Sequence, residues 1–378
     1  MHLGIDATNI RQGGGITHLV QILMAANPTN QGYSKITVWC SEHVAKKLPT
    51  KPWLFFRTNK LINGHAIGRL LFQHFLLSLQ MRFSGCDMAF SPGGTLPLIS
   101  LLPTVTMSQN MLPFEPNEAR LFGLFSKMYI KLFVLRLMMM ESYRRAAGII
   151  FLTRYAQSVV GQYVKLPFPQ ALIPHGIESR FIGVTKLQKP IEDYSLENPF
   201  RLVYTSILMP YKHQIELIRA IKSLRNKGIP LFCQLIGPTW DWYGDEVNLE
   251  IKNLDPGGDF IQYLGEIPFD RLHAFYRECD GFVFSSSCEN LPNVLIEAMA
   301  SGLPVVCSNA GPMPEILGVS RFFFDPSSLS SIEGAIEAFV SDVKNRSEEA
   351  RISCFKGASY SWEKCAEDTF RFISDCQP

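Results

Sequence analysis

The chain lacks the signatures of several common classes of protein. Its nine cysteines form no Cys-x-x-Cys pair, and no group of histidines has the spacing of a metal site. The Gly-x-Gly-x-x-Gly fingerprint of a dinucleotide site is also absent, which disfavours a nicotinamide oxidoreductase. An odd number of cysteines without a pairing pattern predicts free thiols in a reducing compartment.

Long uncharged apolar segments are missing as well. The best candidate, residues 96–114, is interrupted by Pro97, Pro103 and Pro113, so we expect no segment that spans a bilayer. The start, Met-His-Leu-Gly-Ile-Asp, has no basic region before a long apolar core, and it reads as a first strand rather than a signal peptide. These features predict a cytoplasmic protein.

Acidic residues are scarce in the first half of the chain. Residues 1–180 contain 18 Lys and Arg against 7 Asp and Glu, whereas residues 181–378 contain 18 against 27. The formal net charge of +2 therefore hides a basic half joined to an acidic half. The basic half favours an anionic partner, but the acidic half would repel nucleic acid, so no nucleic-acid partner is expected.

The length and composition indicate two folded domains. The chain has 378 residues, of which 47% are hydrophobic and 19% charged, so disorder is not expected. In the second half, short apolar runs alternate with helical patterns, which predicts an α/β fold with a doubly wound parallel sheet. The first half shows the same alternation more loosely. The predicted limits are a first domain at 1–183, a linker at 184–200 and a second domain at 201–359.

The most informative stretch is residues 281–314. It starts with an apolar run typical of a buried strand and continues into an amphipathic helical pattern that Gly302 ends. The loop between them would lie at the carboxyl end of a parallel strand, where ligands bind, and a helix start offers N–H groups to phosphate. Glu289 and Glu297 are suited to accept hydrogen bonds from hydroxyls. A nucleotide sugar carries both kinds of group.

This stretch resembles a known motif. Glu289, the seven residues after it, Glu297 and the following Ala-Met-Ala-Ser-Gly-Leu-Pro-Val-Val resemble the donor-site motif of retaining glycosyltransferases of family 4, which have the GT-B fold. The resemblance is dense in the second half and sparse in the first. It implies two Rossmann-like domains facing across a cleft, with a C-terminal helix at 360–378 crossing back onto the first domain. The alternative is that both glutamates are solvated surface charges.

The resemblance also assigns a lysine to the donor phosphates. Lys212 follows a predicted strand by the family's Pro-x-Lys step, and it is similar to the lysine that binds the diphosphate. The family's companion arginine falls on Ile207, so one expected contact is missing. A lysine without a partner near a helix start is poorly placed against the helix dipole unless an anion is present. The resemblance further implies that Glu289 holds the sugar hydroxyls and Glu297 the ribose.

Two loops of the first half have weaker support. Gly13-Gly14-Gly15 lies between a predicted strand and helix, where the family often has a Gly-Gly loop, although a plain tight turn explains it equally well. Gln109-Asn110 stands where many members have a His-Asp pair. Because an amide cannot act as an acid or base, a proton-transfer role of this loop is in doubt. We still predict that Asn110 contacts the substrate.

Two further segments are basic and rich in aromatic and aliphatic residues. Residues 64–82 and 117–147 contain many Leu, Phe, Met and Tyr with Lys and Arg between them. Such a pattern is typical of helices on an anionic membrane surface, although core-facing helices with solvated cations are the alternative. We expect contact with an anionic membrane, which would place the protein peripherally at the inner face of the cell membrane.

The resemblance predicts a retaining, metal-independent glycosyltransferase that needs no cofactor. It would move a hexose-type sugar from a UDP- or GDP-linked donor to a glycan acceptor, linked to a lipid such as polyprenyl diphosphate, in the synthesis of bacterial surface polysaccharide of the O-antigen or lipopolysaccharide type. The predicted catalytic residues are Glu289, Asn110 and Lys212. The predicted donor-binding residues are Gly14, Gly15, Lys212, Glu289, Asn290, Leu291, Pro292, Asn293, Glu297 and Gly265.

The departures from the family pattern leave a second hypothesis open. Without the companion arginine and the loop histidine, the chain can also be read as a non-catalytic GT-B subunit of a glycosyltransferase complex. A GT-B epimerase or phosphorylase is disfavoured, because no pyridoxal-lysine motif is evident and an epimerase needs carboxylates placed to act as bases.

Overall fold

The computed structural model describes residues 1–11, 13–166 and 169–377. It divides into two compact units, Met1–Ala119 with Phe125–Gly176 and Ser361–Pro378, and Arg120–Leu124 with Ile177–Tyr360. In this division residues 177–200 belong to the second unit, whereas the sequence assigns them to the end of the first domain and a linker. Pro378, the last residue of the predicted C-terminal helix, lies outside the described residues.

The first unit contains a parallel sheet with the strand order of a Rossmann fold. In the described part of the chain it has seven strands in the order β3-β2-β1-β4-β5-β6-β7, and every pairing is parallel. The strands are β1 (His2–Ala7), β2 (Lys35–Cys40), β3 (Leu54–Arg57), β4 (Met88–Ser91), β5 (Thr104–Ser108), β6 (Gly148–Phe151) and β7 (Gln170–Leu172).

The second unit repeats this order. Its described residues form six parallel strands in the order β10-β9-β8-β11-β12-β13. The strands are β8 (Phe200–Thr205), β9 (Leu231–Ile236), β10 (Ile261–Tyr263), β11 (Gly281–Phe284), β12 (Val305–Ser308) and β13 (Phe323–Phe324). Strands β11 and β12 are buried along their whole length, which explains their continuous apolar sequences.

Helices connect the strands, as parallel pairing requires. They are α1 (Gly14–Ala25), α2 (Glu42–Ala45), α3 (Lys60–Asn63), α4 (Ala66–Leu71), α5 (Leu77–Phe83), α6 (Pro116–Arg120), α7 (Lys127–Arg145), α8 (Arg154–Gly161), α9 (Gln214–Asn226), α10 (Asp241–Leu254), α11 (Phe269–Glu278), α12 (Asn293–Ala300), α13 (Met313–Leu317), α14 (Leu329–Ser341), α15 (Val343–Ala358) and α16 (Trp362–Asp375). A π-helical turn, Phe72–Leu76, joins α4 to α5.

The predicted fold class is confirmed, since each unit holds a doubly wound parallel sheet. The predicted strands at 2–7, 35–40, 231–236 and 281–284 have the predicted bounds, and most others differ by one to three residues. The last helix, α16, packs on α1 within the first unit. Among the described residues no helix is long and apolar enough to cross a bilayer. All nine cysteines are free thiols.

Candidate active site

In the second unit, the candidate site lies where the direction of the strand order reverses. Strands β8 and β11 are neighbours there, with Leu202 opposite Gly281 and Val203 opposite Phe282. In open parallel sheets the crevice beyond the carboxyl ends of such a strand pair is the usual ligand site. The segments that leave these two strands carry Lys212 and Glu289, so the fold brings the two predicted residues together.

The backbone around Lys212 is held by hydrogen bonds. Its carbonyl accepts from the Tyr204 hydroxyl and from Ser285 Oγ, each at 2.8 Å. The Ser287 amide donates to the carbonyl of Tyr211 at 2.8 Å. His213 adopts a left-handed backbone conformation, with φ of 52°, which is uncommon for a residue other than glycine and typical of functional loops. These contacts fix the lysine at the start of α9.

Lys212 and Glu289 form an ion pair with each other. Nζ of Lys212 donates to Oε1 of Glu289, and their side chains are only 10% and 14% exposed. The sequence argument that Lys212 lacks an anionic partner is therefore wrong, because strand pairing brings a carboxylate from 77 residues away. The Lys212 ammonium also lies 5.0 Å from the centre of the Tyr211 ring. Removing one partner of such an enclosed ion pair without a replacement strongly destabilises the fold.

Helix α12 begins immediately after the Glu289 loop. Pro292 precedes the helix and provides no side-chain cap, and the first turn carries no acidic residue. Asn290 and Leu291 are buried in the loop, and Asn293 is the first residue of the helix. The predicted end is confirmed at Gly302, where φ is +78° and a Cβ atom would lie 2.5 Å from the carbonyl oxygen of Val184.

Glu297 is a buried carboxyl group on α12. Its pKa is raised to about 8, mainly by burial and also by the nearby Glu178, while Arg180 opposes the shift. Its Oε2 is buried and has no hydrogen-bond partner among the described residues. A buried carboxyl oxygen without a partner is unfavourable, so the position favours a ligand that supplies a hydroxyl. The alternative that Glu289 and Glu297 are solvated surface charges is wrong, because Glu297 is buried and Glu289 is largely enclosed in an ion pair.

Gly265 follows strand β10 in the same unit. Its φ is +71°, which favours glycine, and its carbonyl accepts a hydrogen bond from the Gly237 amide at 2.8 Å. Because β10 and β9 are paired, this bond joins the loops after the two strands. Its predicted contact with the donor stays a prediction.

The first unit holds the remaining predicted residues. Gly14 and Gly15 begin α1, and a Cβ on Gly15 would lie 3.8 Å from Oε1 of Gln109, so the glycine loop and the amide loop are adjacent. Asn110 is exposed, and its Oδ1 accepts a hydrogen bond from the Leu112 amide at 3.1 Å. This Asx-type turn leaves the Asn110 amide nitrogen available at the surface.

Sequence reasoning missed a buried histidine in this unit. His18 on α1 is fully buried, its Nδ1 lies 3.2 Å from Nε2 of Gln109, and its ring stacks on His175 at 4.8 Å. His175 in turn stacks on Trp362 at 5.5 Å. Burial lowers the pKa of His18 well below its usual value, with His175 adding to the effect, so His18 is neutral at pH 7. The sequence signal that could have identified His18 is its position among the apolar residues of an amphipathic helix.

A buried carboxylate was missed as well. Asp6 in β1 accepts from the Thr8 amide at 3.1 Å and hydroxyl at 2.7 Å, and from Nε2 of Gln73 at 2.7 Å. Gln73 lies in the π-helical turn, and its Oε1 accepts from Nδ2 of Asn9. Burial raises the pKa of Asp6, and these hydrogen bonds partly oppose that shift. The network holds the loop that leads to Gly14.

Comparison with known proteins shows which family the second unit resembles. Residues 189–352 match the family described as glycosyl transferases group 1. Over these residues, which are less than half of the chain, the second unit is therefore similar to glycosyl transferases group 1. The O-antigen chain mannosyltransferase B of Escherichia coli is 26% identical to the chain over 179 residues, which is 47% of each sequence. The chain thus spans about half the length of this relative in the match.

Solved structures resemble the whole chain, including the part before residue 189. The Anabaena protein HepE in complex with UDP and glucose superposes with a TM-score of 0.71 at 18% identity, covering 99% of this chain and 100% of that one. Sucrose-phosphate synthase from Thermosynechococcus elongatus gives a TM-score of 0.76 at 14% identity, covering 98% of both chains. These likenesses establish the GT-B fold with two Rossmann-like domains.

Proposed function

We propose that the chain is a retaining glycosyltransferase that moves a hexose-type sugar from a nucleoside-diphosphate donor to a glycan acceptor. The observation that carries this proposal is the enclosed Lys212–Glu289 ion pair at the reversal point of the second sheet, directly before the start of α12. A cation, a helix start and a carboxylate suited to hydroxyls match the parts of a nucleotide sugar.

In this proposal the donor diphosphate takes the place of Glu289 beside Lys212. The exchange keeps the buried ammonium paired with an anion, and it frees the Glu289 carboxylate to accept hydrogen bonds from the sugar hydroxyls. Lys212 and the start of α12 between Asn290 and Asn293 then stabilise the charge that grows on the departing diphosphate. Glu297 accepts or donates hydrogen bonds at the ribose hydroxyls.

The reaction proposed is a front-face displacement that needs no metal and no cofactor. The bond from the anomeric carbon to the donor phosphate breaks while the acceptor oxygen bonds to the same face, and the acceptor's proton passes to the departing phosphate oxygen. No side-chain base is needed in this step, which fits the amide loop at Gln109-Asn110. Asn110, Gly14 and Gly15 are the proposed contacts of the first unit.

The acceptor and the setting complete the proposal. HepE was crystallised with UDP and glucose, and the relative from Escherichia coli is an O-antigen chain mannosyltransferase. By analogy we infer a UDP- or GDP-linked sugar as donor and a lipid-linked glycan of a bacterial surface polysaccharide as acceptor. A cytoplasmic protein at the inner face of an anionic membrane would meet both.

Nucleotide binding gives the decisive test. Thermal-shift and calorimetric titrations with UDP, GDP and their sugars should show one nucleotide raising the melting temperature, and the rise should increase with its concentration. Stabilisation by none of them would contradict the proposal. Donor hydrolysis or transfer by the purified protein would then distinguish the enzyme from a non-catalytic GT-B subunit. That second candidate is favoured by Ile207, which stands where the family has an arginine, and by the amide loop.

A further inference from the structure

The first unit exposes an apolar helical surface. The continuous helical segment of α4, the π turn and α5 directs a series of large apolar side chains outward. Ile67 is 73% exposed and Phe83 is 87% exposed, and Leu71, Phe75 and Leu79 lie exposed between them. Folded domains rarely leave so many large apolar groups together in water unless they bind something.

Helix α7 carries a second exposed stripe. Its outward positions recur at helical spacing and include Ile130, Phe133, Val134 and Leu137. The same stripe contains exposed cations at both ends of the helix, which are Lys127, Lys131, Arg144 and Arg145. Nineteen residues of α-helix are about 28 Å long, so the stripe extends over a large part of a small domain.

A short loop joins the two helical surfaces. The Leu101 amide donates to Ser78 Oγ of α5 at 2.7 Å, and Arg145 of α7 donates to the carbonyl of Leu98 at 2.8 Å. Leu98 and Ile99 are themselves exposed, and Ile99 bonds to the carbonyl of His74 in the π turn. The loop therefore contacts both helical segments. The exposed side chains of 66–83, 98–101 and 127–145 are together called here the basic apolar face.

The charge of this face has one sign. Residues 60–83 contain Lys60, Arg69 and Arg82 and no Asp or Glu. On α7 the single acidic residue, Glu141, is paired with Arg144 at 3.5 Å and with Arg145 at 3.3 Å. The surplus of cations among exposed aromatic and aliphatic groups is the composition of helices that lie in the interface of an anionic bilayer.

We propose that the basic apolar face docks on a bilayer that contains anionic lipids. The face would lie in the plane of the membrane, with Phe83, Ile67 and Phe133 entering the head-group region and Lys127 and Lys131 meeting lipid phosphates. This deepens the proposed function and rests on it for its purpose, because a lipid-linked acceptor is found at that surface. Two copies of the face would bring cations against cations, which disfavours a dimer.

Vesicle binding tests the proposal without any substrate. Full-length protein should co-sediment with vesicles of equimolar phosphatidylcholine and phosphatidylglycerol, and the binding should weaken as salt rises. Replacing Lys127 and Lys131 by Gln should weaken this binding by roughly tenfold or more. Phe83→Ser with Phe133→Ser should weaken it as strongly, and this loss should persist at high salt, because it removes apolar insertion.

The second unit offers a matched control. Phe355 is 84% exposed on α15 and Lys344 is exposed near its start, so Phe355→Ser with Lys344→Gln removes similar groups from a different surface. The control variant should bind vesicles like the parent. The proposal would be overturned if the control variant lost as much vesicle binding as the variants of the basic apolar face. It would also be overturned if the parent protein did not bind vesicles. Sedimentation without lipid tests for a dimer. If the parent is a dimer and the Phe83 and Phe133 changes dissociate it, the face binds a second copy and not a membrane.

The outcome is independent of the donor site. Calorimetry with UDP and GDP in the absence of lipid reports on the donor site and does not involve the basic apolar face. Vesicle binding without nucleotide binding would contradict the proposed transferase function and support membrane docking by the basic apolar face. The opposite pair of results would refute the membrane surface alone.

Discussion

Asp6 in the first unit and the two glutamates in the second are all enclosed carboxyl groups, but their surroundings differ. Both oxygens of Asp6 accept hydrogen bonds from neighbouring residues, namely Thr8 and Gln73. Glu289 has a cation as its partner, and Glu297 keeps one buried oxygen with no described partner. Both sheets have the same strand order, so topology does not account for the difference.

The comparison separates a structural carboxylate from the two carboxyl groups that we propose bind the donor. A buried acid whose hydrogen bonds are all made within its own unit stabilises a loop, as Asp6 does beneath the glycine loop. A buried oxygen without a partner is instead unfavourable, and in our proposal ligand binding relieves it, while the diphosphate replaces Glu289 beside Lys212. Substitutions in the two units should therefore lose different properties.

The largest effect is expected at Glu289. Glu289→Ala should lower the transfer rate by at least about a hundredfold, because it removes the group that would bind the sugar hydroxyls, while the protein still folds. Asp6→Asn should instead lower the melting temperature with little change in transfer rate or nucleotide affinity, whereas Glu289→Ala loses the rate in addition to the partner of Lys212. Steady-state kinetics and thermal melts on both variants measure the contrast.

Glu246 serves as the control for Glu289, since it is an exposed carboxylate on α10 of the same unit. Glu246→Ala should keep both rate and stability. Full activity in the Glu289→Ala variant would remove the role proposed for that residue, and an Asp6→Asn variant that melts like the parent would break the distinction drawn between the units.

The Lys212–Glu289 pair predicts a coupling between stability and binding. Lys212→Met leaves a buried carboxylate without a partner, so it should lower the free energy of unfolding by on the order of 3 kcal/mol and weaken UDP or GDP binding. Adding Glu289→Gln should restore much of the stability but not the nucleotide affinity. A double-mutant cycle by denaturant unfolding and calorimetry measures both. Unchanged nucleotide affinity in Lys212→Met would remove the lysine from the phosphate site.

Glu297 should give a change in stability that depends on pH. Its pKa is raised from the ordinary 4.5 to about 8, so between these values the folded state holds a proton that the unfolded state releases. The free energy of unfolding should therefore fall as pH rises from about 4.5 to 8. Glu297→Gln should abolish this pH dependence. Each unit of pKa difference corresponds to about 1.4 kcal/mol in the free energy of unfolding.

Denaturant unfolding of the parent and the Gln variant across this pH range checks the sign. The variant should be the more stable of the two at pH 8 and should bind nucleotide more weakly. Parallel pH profiles for the two proteins would show that Glu297 is not held protonated. A more stable variant that keeps full nucleotide affinity would place the ribose elsewhere.

Local sequence was enough to predict the strands and the loop that precede α12. The apolar run of β11, the helix stop at Gly302 and the two glutamates are all features of neighbouring residues, and parallel sheets bury such runs on both faces. The same argument located most of the other strands within a few residues. The fold class followed from their alternation with helices.

Contacts between distant segments could not be predicted in the same way. The ion pair of Lys212 with Glu289 depends on β8 and β11 being neighbours, which is a property of the strand order and not of either loop. Helix α10 was not predicted, because Gly244 and adjacent aromatic residues obscure its pattern; a Cβ on Gly244 would lie 2.6 Å from Thr239. The π turn at 72–76 has no sequence signal of its own.

The smallest effect is expected at Asn110 in the first unit, whose side chain stabilises a turn and is also proposed to contact the substrate. Asn110→Asp keeps the oxygen that accepts from the Leu112 amide but removes the amide donor, whereas Asn110→Ala removes both. If the exposed amide binds substrate, both variants should lose roughly tenfold in kcat/KM, and only Ala should also lower stability, by about 1 kcal/mol. Should Asp retain full activity while Ala does not, the side chain serves the turn, and substrate contacts in the first unit would then fall to the glycine loop.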